Sequence, residues 1–264
     1  MRKSELYGLK IKKGMKKIDQ TDYAKYIEAA KKCTANRVYP LSIATGVQTG
    51  DIYADDRGNV LFWHYCGFAY ILGSSDSDFL EQVYQEFLVA DKERRFLLIT
   101  DSDFVTDYYK DRNLLQFDKR VEYDHVLLPE ISSVPDKQFT IERITSENIG
   151  CVQGRIVPAF SWESDKAFLE RGFGYLAKTD TDFAAIAFSS AVSPKEVDIG
   201  VETAEEYRHH GLAAYLANRM CEEIITQGKK PVWAHAKTNE GSRKTAVSAG
   251  FKPCKINTVI HKTL

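Results

Sequence analysis

Residues 207–214, YRHHGLAA, place an arginine, two histidines and a glycine among small residues. They follow the β-like run EVDIGVET at 196–203 and precede a helical pattern. The first N–H groups of a helix have no internal partner and lie at the positive end of its dipole, so this turn suits a phosphate. Gly211 would admit an anion close to the backbone, Ala213 keeps the next turn small, and Arg208 adds charge. An ordinary helix start with an incidental glycine is the alternative.

The other polar residues of this segment have less defined roles. His209 and His210 could donate to phosphate oxygens or simply be exposed to solvent. Adjacent residues on a helix face different sides and no third ligand is suggested, so we do not expect a metal here. Glu205 and Glu206 would repel a phosphate, and we expect them to point into solvent.

The strand at 196–203 carries acids with a period of two. Alternation places Glu196, Asp198 and Glu202 on one face of the strand, and Val197, Ile199, Val201 and Thr203 on the other. The acids could hold or deprotonate a cationic amine, which makes Glu202 and Asp198 candidate catalytic bases. A solvated strand face is the alternative.

Several motifs in order resemble the GCN5-related N-acetyltransferases, the GNAT superfamily. Arg208-x-x-Gly211-x-Ala213 fits its pyrophosphate motif, Q/R-x-x-G-x-G/A. Asn239-x-x-Ser242, followed by Gly250-Phe251, is similar to its second signature. The pattern over 139–253 also resembles a two-domain branch that includes the zwittermicin-resistance type of acetyltransferase. Before residue 130 the likeness is limited to the order and length of elements.

This resemblance implies a site for acetyl-CoA as co-substrate, with no metal. The sheet would splay between EVDIGVET and PVWAHA (231–236), and the pantetheine arm would contact Val201 and Thr203 in the gap. Asn239 and Ser242 would face the cofactor. The pyrophosphate would meet the backbone of a continuous segment made of Arg208, His209, His210, Gly211, Leu212, Ala213 and Ala214.

The implied reaction is direct transfer of the acetyl group to a primary amine of a small molecule, such as an antibiotic or a metabolite. A backbone N–H near Val201–Thr203 would stabilise the carbonyl oxygen, and a base would deprotonate the amine. A non-catalytic acyl-CoA-binding or sensory module, a protein N-acetyltransferase and an interaction protein are the alternatives.

The acid and the acceptor pocket of the implied active site each allow an alternative. Many members carry a tyrosine seven residues after the motif asparagine, but here that position is Ala246. Tyr207 and Tyr175 are candidate substitutes for that acid. Trp162 and Glu163 would line the acceptor pocket, and a buried tryptophan that anchors a loop is the alternative.

The order of elements predicts an α/β (α+β) fold. We expect a GNAT-like mixed, splayed β-sheet flanked by helices at 138–264, preceded by a smaller α/β N-terminal domain at 1–130. PEISSVPDKQ (129–138) is the expected linker. Both parts show a strand–strand–helix–strand–helix order, which suggests that the first is a degenerate GNAT-like half.

The composition narrows the class of protein. The 264 residues carry 36 basic and 37 acidic side chains, a net charge of -1, so we expect neither nucleic acid nor a membrane as partner. The basic N-terminus lacks the apolar run of a signal peptide. Five scattered cysteines without a CxxC pair predict reduced, mostly buried thiols in a cytoplasmic protein. We expect a monomer or homodimer, with Trp63 and His64 in the core.

Overall fold

The structure is a computed structural model that describes residues 14–73, 76–129 and 136–263. Most of the expected linker, residues 130–135, lies outside the described residues. So do residues 1–13, on which the prediction about a signal peptide falls.

The described strands form one mixed, mainly antiparallel sheet. Its strand order is β1-β2-β3-β4-β5-β12-β6-β11-β10-β9-β8-β7. The strands span β1 Lys16–Lys17, β2 Gly50–Ala54, β3 Val60–His64, β4 Phe68–Leu72, β5 Leu97–Thr100, β6 Leu115–His125, β7 Thr140–Arg143, β8 Gly174–Lys178, β9 Phe183–Val192, β10 Glu196–Thr203, β11 Lys230–Ala236 and β12 Phe251–Lys262. The predicted mixed α/β class with a large sheet flanked by helices is confirmed.

The helices are short except for the one that follows β10. They span α1 Ile27–Lys31, α2 Val38–Ala44, α3 Ser77–Val83, α4 Asp103–Tyr109, α5 Asp165–Arg171, α6 Leu212–Thr226 and α7 Glu240–Ser248. A 3₁₀ turn at Gln20–Tyr26 precedes α1, and a π turn at Tyr84–Leu88 continues α3. Asp76 and Ser102 cap α3 and α4 by accepting from backbone N–H groups, as their side-chain chemistry predicts.

Several elements of the first half differ from their sequence patterns. The apolar run at 59–72 is a hairpin, because Gly67 adopts a φ of 93° and turns the chain between β3 and β4. The pattern SDFVTDYYKDRNLLQF at 102–117 predicts a single helix, but α4 ends at Tyr109 and Leu115 already starts β6. Helix α2 has no polar face that would reveal it, since all seven of its residues are buried.

Two central strands connect the halves of the sequence. β12, the last strand of the chain, pairs with β5 on one side and with β6 on the other. β6 in turn pairs with β11. One sheet therefore runs through both parts of the chain, and the division into 1–130 and 138–264 stays a prediction.

Helices α2 and α6 pack on opposite faces of β10. Val197 and Ile199 share a core with Leu216 and Met220 of α6. Asp198, which points the other way, contacts Tyr39 of α2. The chain thus has two distinct sheet faces at β10, an apolar one under α6 and a polar one under α2.

Candidate functional site

Strands β10 and β11 run parallel and then separate. Three ladder pairs join them, and the last links Asp198 to Val232. No ladder pair joins the two strands beyond this one, and every residue of both strands is described. β10 stays paired with β9 as far as Thr203, and β11 stays paired with β6 as far as Ala236. A gap therefore opens toward the carboxyl ends of both strands, between the two runs where a splay is expected.

Backbone polar groups of both strands face this gap. Ala204 N donates to a β9 carbonyl at 2.9 Å. Along a strand of an antiparallel pair, residues whose backbone groups bond the partner strand alternate with residues whose groups point away from it. The N–H and C=O groups of Val201 and Thr203 therefore point away from β9 and into the gap. Lys237 N donates to a β6 carbonyl at 2.8 Å, so the same alternation turns the groups of Ala234 toward the gap.

Helix α6 begins at the same edge without a side-chain cap. Gly211, the residue before the helix, has a φ of 74°. No side chain at this position bonds the first N–H groups of the helix. A Cβ built on Gly211 would meet no heavy atom within 4 Å. His209 also has a positive φ, 69°, which turns its backbone sharply. The start of α6 thus combines free space at Gly211 with first amides that no side chain caps, two features that favour an anion site.

The side chains around this turn are mostly exposed. Arg208 lies 3.9 Å from Glu205, and His210 Nδ1 lies 3.8 Å from an oxygen of Asp136. Glu205 and Glu206 are exposed, which agrees with the expected solvent orientation. The local charge is therefore mixed, and the backbone rather than a cluster of cations is what favours an anion here.

Asn239 and Ser242 lie beyond the carboxyl end of β11, and both support α7. Asn239 Oδ1 accepts from Ser242 N at 3.0 Å and so caps the helix. Ser242 Oγ accepts from Trp233 Nε1 at 3.0 Å. Their predicted contact with a cofactor stays a prediction, because these bonds explain both side chains without one.

The three acids of β10 share one face, as the alternation predicts, and each has a polar partner. Arg37 Nη2 donates to Glu196 at 2.6 Å, and Tyr39 Oη donates to Asp198 at 2.8 Å. Glu202 accepts from a backbone N–H, that of Ile156, at 2.8 Å. Glu196 and Asp198 are buried, so the alternative of a solvated strand face is wrong for both.

Two carboxyl groups on the α2 face have strongly raised pKa values. Burial raises the pKa of Asp198 to about 6. Burial also raises the pKa of Glu122 in β6 to about 7, although Asn257 Nδ2 donates to it. Glu122 pairs in register with Ala234, the second residue of β11 beyond its last bond to β10. The sequence pattern EYDHVLLP places Glu122 in a strand at 122–129, but it carries no signal that this side chain is buried beside the gap.

The remaining candidates have partners or positions of their own within the fold. Trp162 is 1% exposed and its Nε1 donates to Ser189 O at 2.8 Å, which fits the alternative of a loop-anchoring tryptophan. Glu163 pairs with Arg171 at 2.5 Å. Tyr175 and Tyr207 donate to acids elsewhere, Glu223 at 2.7 Å and Asp182 at 3.3 Å, and Ala246 is buried.

Comparison with known families decides the relationship. The model of the GNAT acetyltransferase family matches residues 29–259. The chain belongs to this family. The zwittermicin-resistance branch stays a prediction, since the match concerns the family as a whole.

Individual relatives agree with this family. An uncharacterized N-acetyltransferase, YdfB of Bacillus subtilis, is 24% identical over 225 residues, which are 82% of this chain and 79% of the relative. A GCN5-related N-acetyltransferase-like protein from Streptococcus suis superposes with a TM-score of 0.69 at 17% identity, over 93% of this chain and 100% of its own. A tandem GNAT protein from the clavulanic acid biosynthesis pathway gives 0.57 at 11% identity, over 94% and 98%.

Three further features concern metal binding, membrane crossing and the cysteines among the described residues. No group of three or more His, Cys, Asp or Glu side chains there could hold a metal ion. No described helix has the length and apolar character needed to cross a membrane. The five cysteines are free, and Cys33, Cys66 and Cys221 are buried.

Proposed function

We propose that this GNAT protein transfers the acetyl group of acetyl-CoA to a primary amine of a small molecule. One observation carries the proposal. The gap between β10 and β11 and the uncapped start of α6 occur at the same edge of the sheet. A nucleotide-derived diphosphate and an extended acyl arm need these two features side by side.

The binding residues follow from the directions of backbone groups. Val201 and Thr203 present N–H and C=O groups to the gap, where an extended arm can bond as an added strand does. The amides of Gly211 through Ala214 and of 208–210 would hold the diphosphate. Asn239 and Ser242, at the far side of the gap, would border the arm through atoms that their helix-capping bonds leave free.

Bound acetyl-CoA would supply a thioester carbon that gains a bond to the amine nitrogen while its bond to sulfur breaks and the thiolate leaves. The chain's own contribution is to orient, to polarise and to move a proton. A backbone N–H at Val201 or Thr203 would donate to the carbonyl oxygen as negative charge develops there. Ala246 offers no acid to the departing sulfur, so the thiolate would be protonated by water or by the amine proton.

We assign the proton-accepting role to Asp198 in preference to Glu202. A base works best when its pKa lies near the working pH, and burial brings the pKa of Asp198 to about 6. Asp198 also lies at the last paired position before the gap. Glu202 instead uses its carboxylate to hold Ile156 N, and its Cγ lies 2.7 Å from the Cβ position of Gly154. We therefore propose that Glu202 anchors the loop over the gap.

The test places a negative charge at the expected diphosphate position. Ala213→Asp in the first turn of α6 should weaken acetyl-CoA binding at least about tenfold, because two like charges within a few ångströms repel. Ala24→Asp, on the exposed 3₁₀ turn at Gln20–Tyr26, adds the same charge far from the gap and is the matched control. Calorimetry measures binding, and a thiol-reactive dye measures coenzyme A release with a panel of amines.

A non-catalytic acyl-CoA-binding module is the second candidate, and the alanine at position 246 favours it. Binding that Ala213→Asp weakens, without thiol release for any amine, would establish that module in place of the enzyme. Equal affinities of the wild type and both variants would contradict the proposed site altogether.

A further inference from the structure

A cavity of about 380 Å³ lies on the α2 face beside the start of the gap. β6, β10, β11 and β12 contribute to its floor, and residues between 31 and 37, before α2, form a wall. The first half of the chain therefore lines a space that reaches the strands of the proposed acetyl-transfer site.

Most charges that line this cavity neutralise one another. Arg37 pairs with Glu196 at 2.6 Å, and Lys230 pairs with Asp124 at 2.5 Å. Lys255 pairs with Asp101 at 2.9 Å and also donates to a backbone carbonyl. Lys31, which also lines the cavity, pairs with Glu28 at 2.6 Å, so each of the four cations in the lining already has an acidic partner.

Glu122 is the exception among these groups. Its carboxylate accepts from Asn257 Nδ2, a neutral donor, and no described cation lies within ion-pair distance of it. The nearest cations already have partners, since Lys255 is bound to Asp101 and Arg120 Nη2 donates to Ala234 O at 2.9 Å. An ionised carboxylate in such a place gains strongly from a cation that enters the cavity.

Two polar atoms without a completed hydrogen bond lie beside this space, one on the lining residue Asn36 and one on Asp198, which does not itself line the cavity. Asn36, which lines the cavity and is 8% exposed, has a buried Nδ2 without a hydrogen bond. Asp198 Oδ1 is likewise buried without a completed bond, although Asn36 lies near enough to lower the pKa of that carboxyl group. Buried polar atoms without a completed bond are rare, so these two neighbouring side chains mark a place where polar groups are not fully satisfied.

We propose that this cavity is the acceptor subsite and that it selects an amine carrying a second positive charge. The reacting nitrogen lies at Asp198 beside the gap, and the second ammonium group lies at Glu122, two strands away on the same face. The two carboxylates are two strand spacings apart, about 10 Å across the sheet, so ammonium groups at the two ends of a short aliphatic chain can each reach one of them. The inference rests on the proposed acetyl transfer and adds the class of acceptor.

Three probes of equal chain length test this selection. Putrescine carries a second ammonium group on its four-carbon chain, n-butylamine carries no second charged group, and γ-aminobutyrate ends its four-carbon chain in a carboxylate. With the wild type we expect a KM for putrescine at least about tenfold below that of n-butylamine, with γ-aminobutyrate poorest, because one buried ion pair differs between them. Their kcat values should differ much less, since the reacting end is the same.

Glu122→Gln removes the charge and keeps an oxygen for Asn257. The putrescine preference over n-butylamine should disappear in this variant, while the KM of n-butylamine changes little. Glu86→Gln removes an equal charge from an exposed site in the first half and should leave the preference intact. The melting temperature confirms that each variant is folded.

A second readout does not depend on catalysis. Cys254 lines the cavity and is exposed, so putrescine should slow its alkylation by iodoacetamide in the wild type but not in Glu122→Gln. Equal KM values for putrescine and n-butylamine, or no protection of Cys254, would overturn the cationic subsite while acetyl transfer stands. If no amine is acetylated, the proposed function itself fails.

Discussion

Asp198 shows how one buried side chain couples the sheet to its chemistry. Its pKa is about 6 in the folded protein and 3.8 in the reference state, because burial penalises the charged form. The folded state therefore binds more protons between these pH values, and stability falls as the pH rises through about 6. Asp198→Asn keeps an acceptor for Tyr39 and removes this penalty.

We expect the free energy of unfolding of Asp198→Asn, relative to the wild type, to increase by about 2–3 kcal/mol between pH 4 and pH 8. Urea titrations at several pH values measure it. A constant difference across that range would show that Asp198 does not titrate with a raised pKa.

The same variant should lose catalysis, in contrast to a change at Glu202. If Asp198 accepts the proton, Asp198→Asn lowers kcat by about 10²–10⁴-fold and leaves acetyl-CoA affinity unchanged. Glu202→Gln still accepts from Ile156 N and should lower kcat no more than about threefold. Thiol release under saturating substrates measures both. The reverse ranking of the two variants would move the base to Glu202.

The sequence predicted which residues share the face but not which of them are buried. Period-two alternation alone places Glu196, Asp198 and Glu202 together. Their burial depends on α2, and Tyr39 lies 159 positions from Asp198 in the chain. Trp162 shows the same limit, because only the packed structure decides between a pocket wall and an anchor.

At the scale of elements, two glycines that precede secondary structure have different reasons to be there. Gly211 has a φ of 74° with open space at its Cβ position, whereas Gly250 has a φ of 83° and a Cβ position 1.9 Å from Leu127 O. Gly211→Ala should cost about 1–2 kcal/mol of stability, from the left-handed backbone alone. Gly250→Ala should cost clearly more, since the backbone must also move.

Chemical denaturation of the two glycine variants measures these costs. Comparable losses would show that β12 can shift away from residue 127 without penalty. The acetyl-CoA affinity of Gly211→Ala tests the free space before α6 separately, because a methyl group there should weaken diphosphate binding without unfolding the protein.

The elements that the sequence predicted well are those with strong local signals. α6 and α7 have clear starts, and β8 to β11 are apolar runs bounded by turns. β6 starts earlier than the strand pattern at 122–129 predicts, because the residues up to 117 continue a helix-like pattern. Arg120 therefore lies outside the predicted strand, although it bonds a carbonyl of β11 beside the gap.

At the scale of the whole molecule, the middle of the sheet is built from strands of both halves. β12 fills the space between β5 and β6, and β6 is the partner of β11 on the side away from the gap. The first half also supplies Arg37, Tyr39 and Glu122 to the face where the acceptor is proposed to bind. The two halves therefore contribute to one sheet and to the one proposed acceptor site.

This arrangement predicts that the halves do not unfold independently. Calorimetry of the whole chain should give a single transition, and a fragment of residues 138–264 should not fold cooperatively. That fragment lacks β5 and β6, so β12 would lose both neighbours and β11 would expose a full strand edge. A fragment of 112–264 restores β6 and should recover part of the cooperative transition. Should 138–264 melt cooperatively at the temperature of the whole chain, the second half would be an autonomous domain, and the central strands would add nothing to its stability.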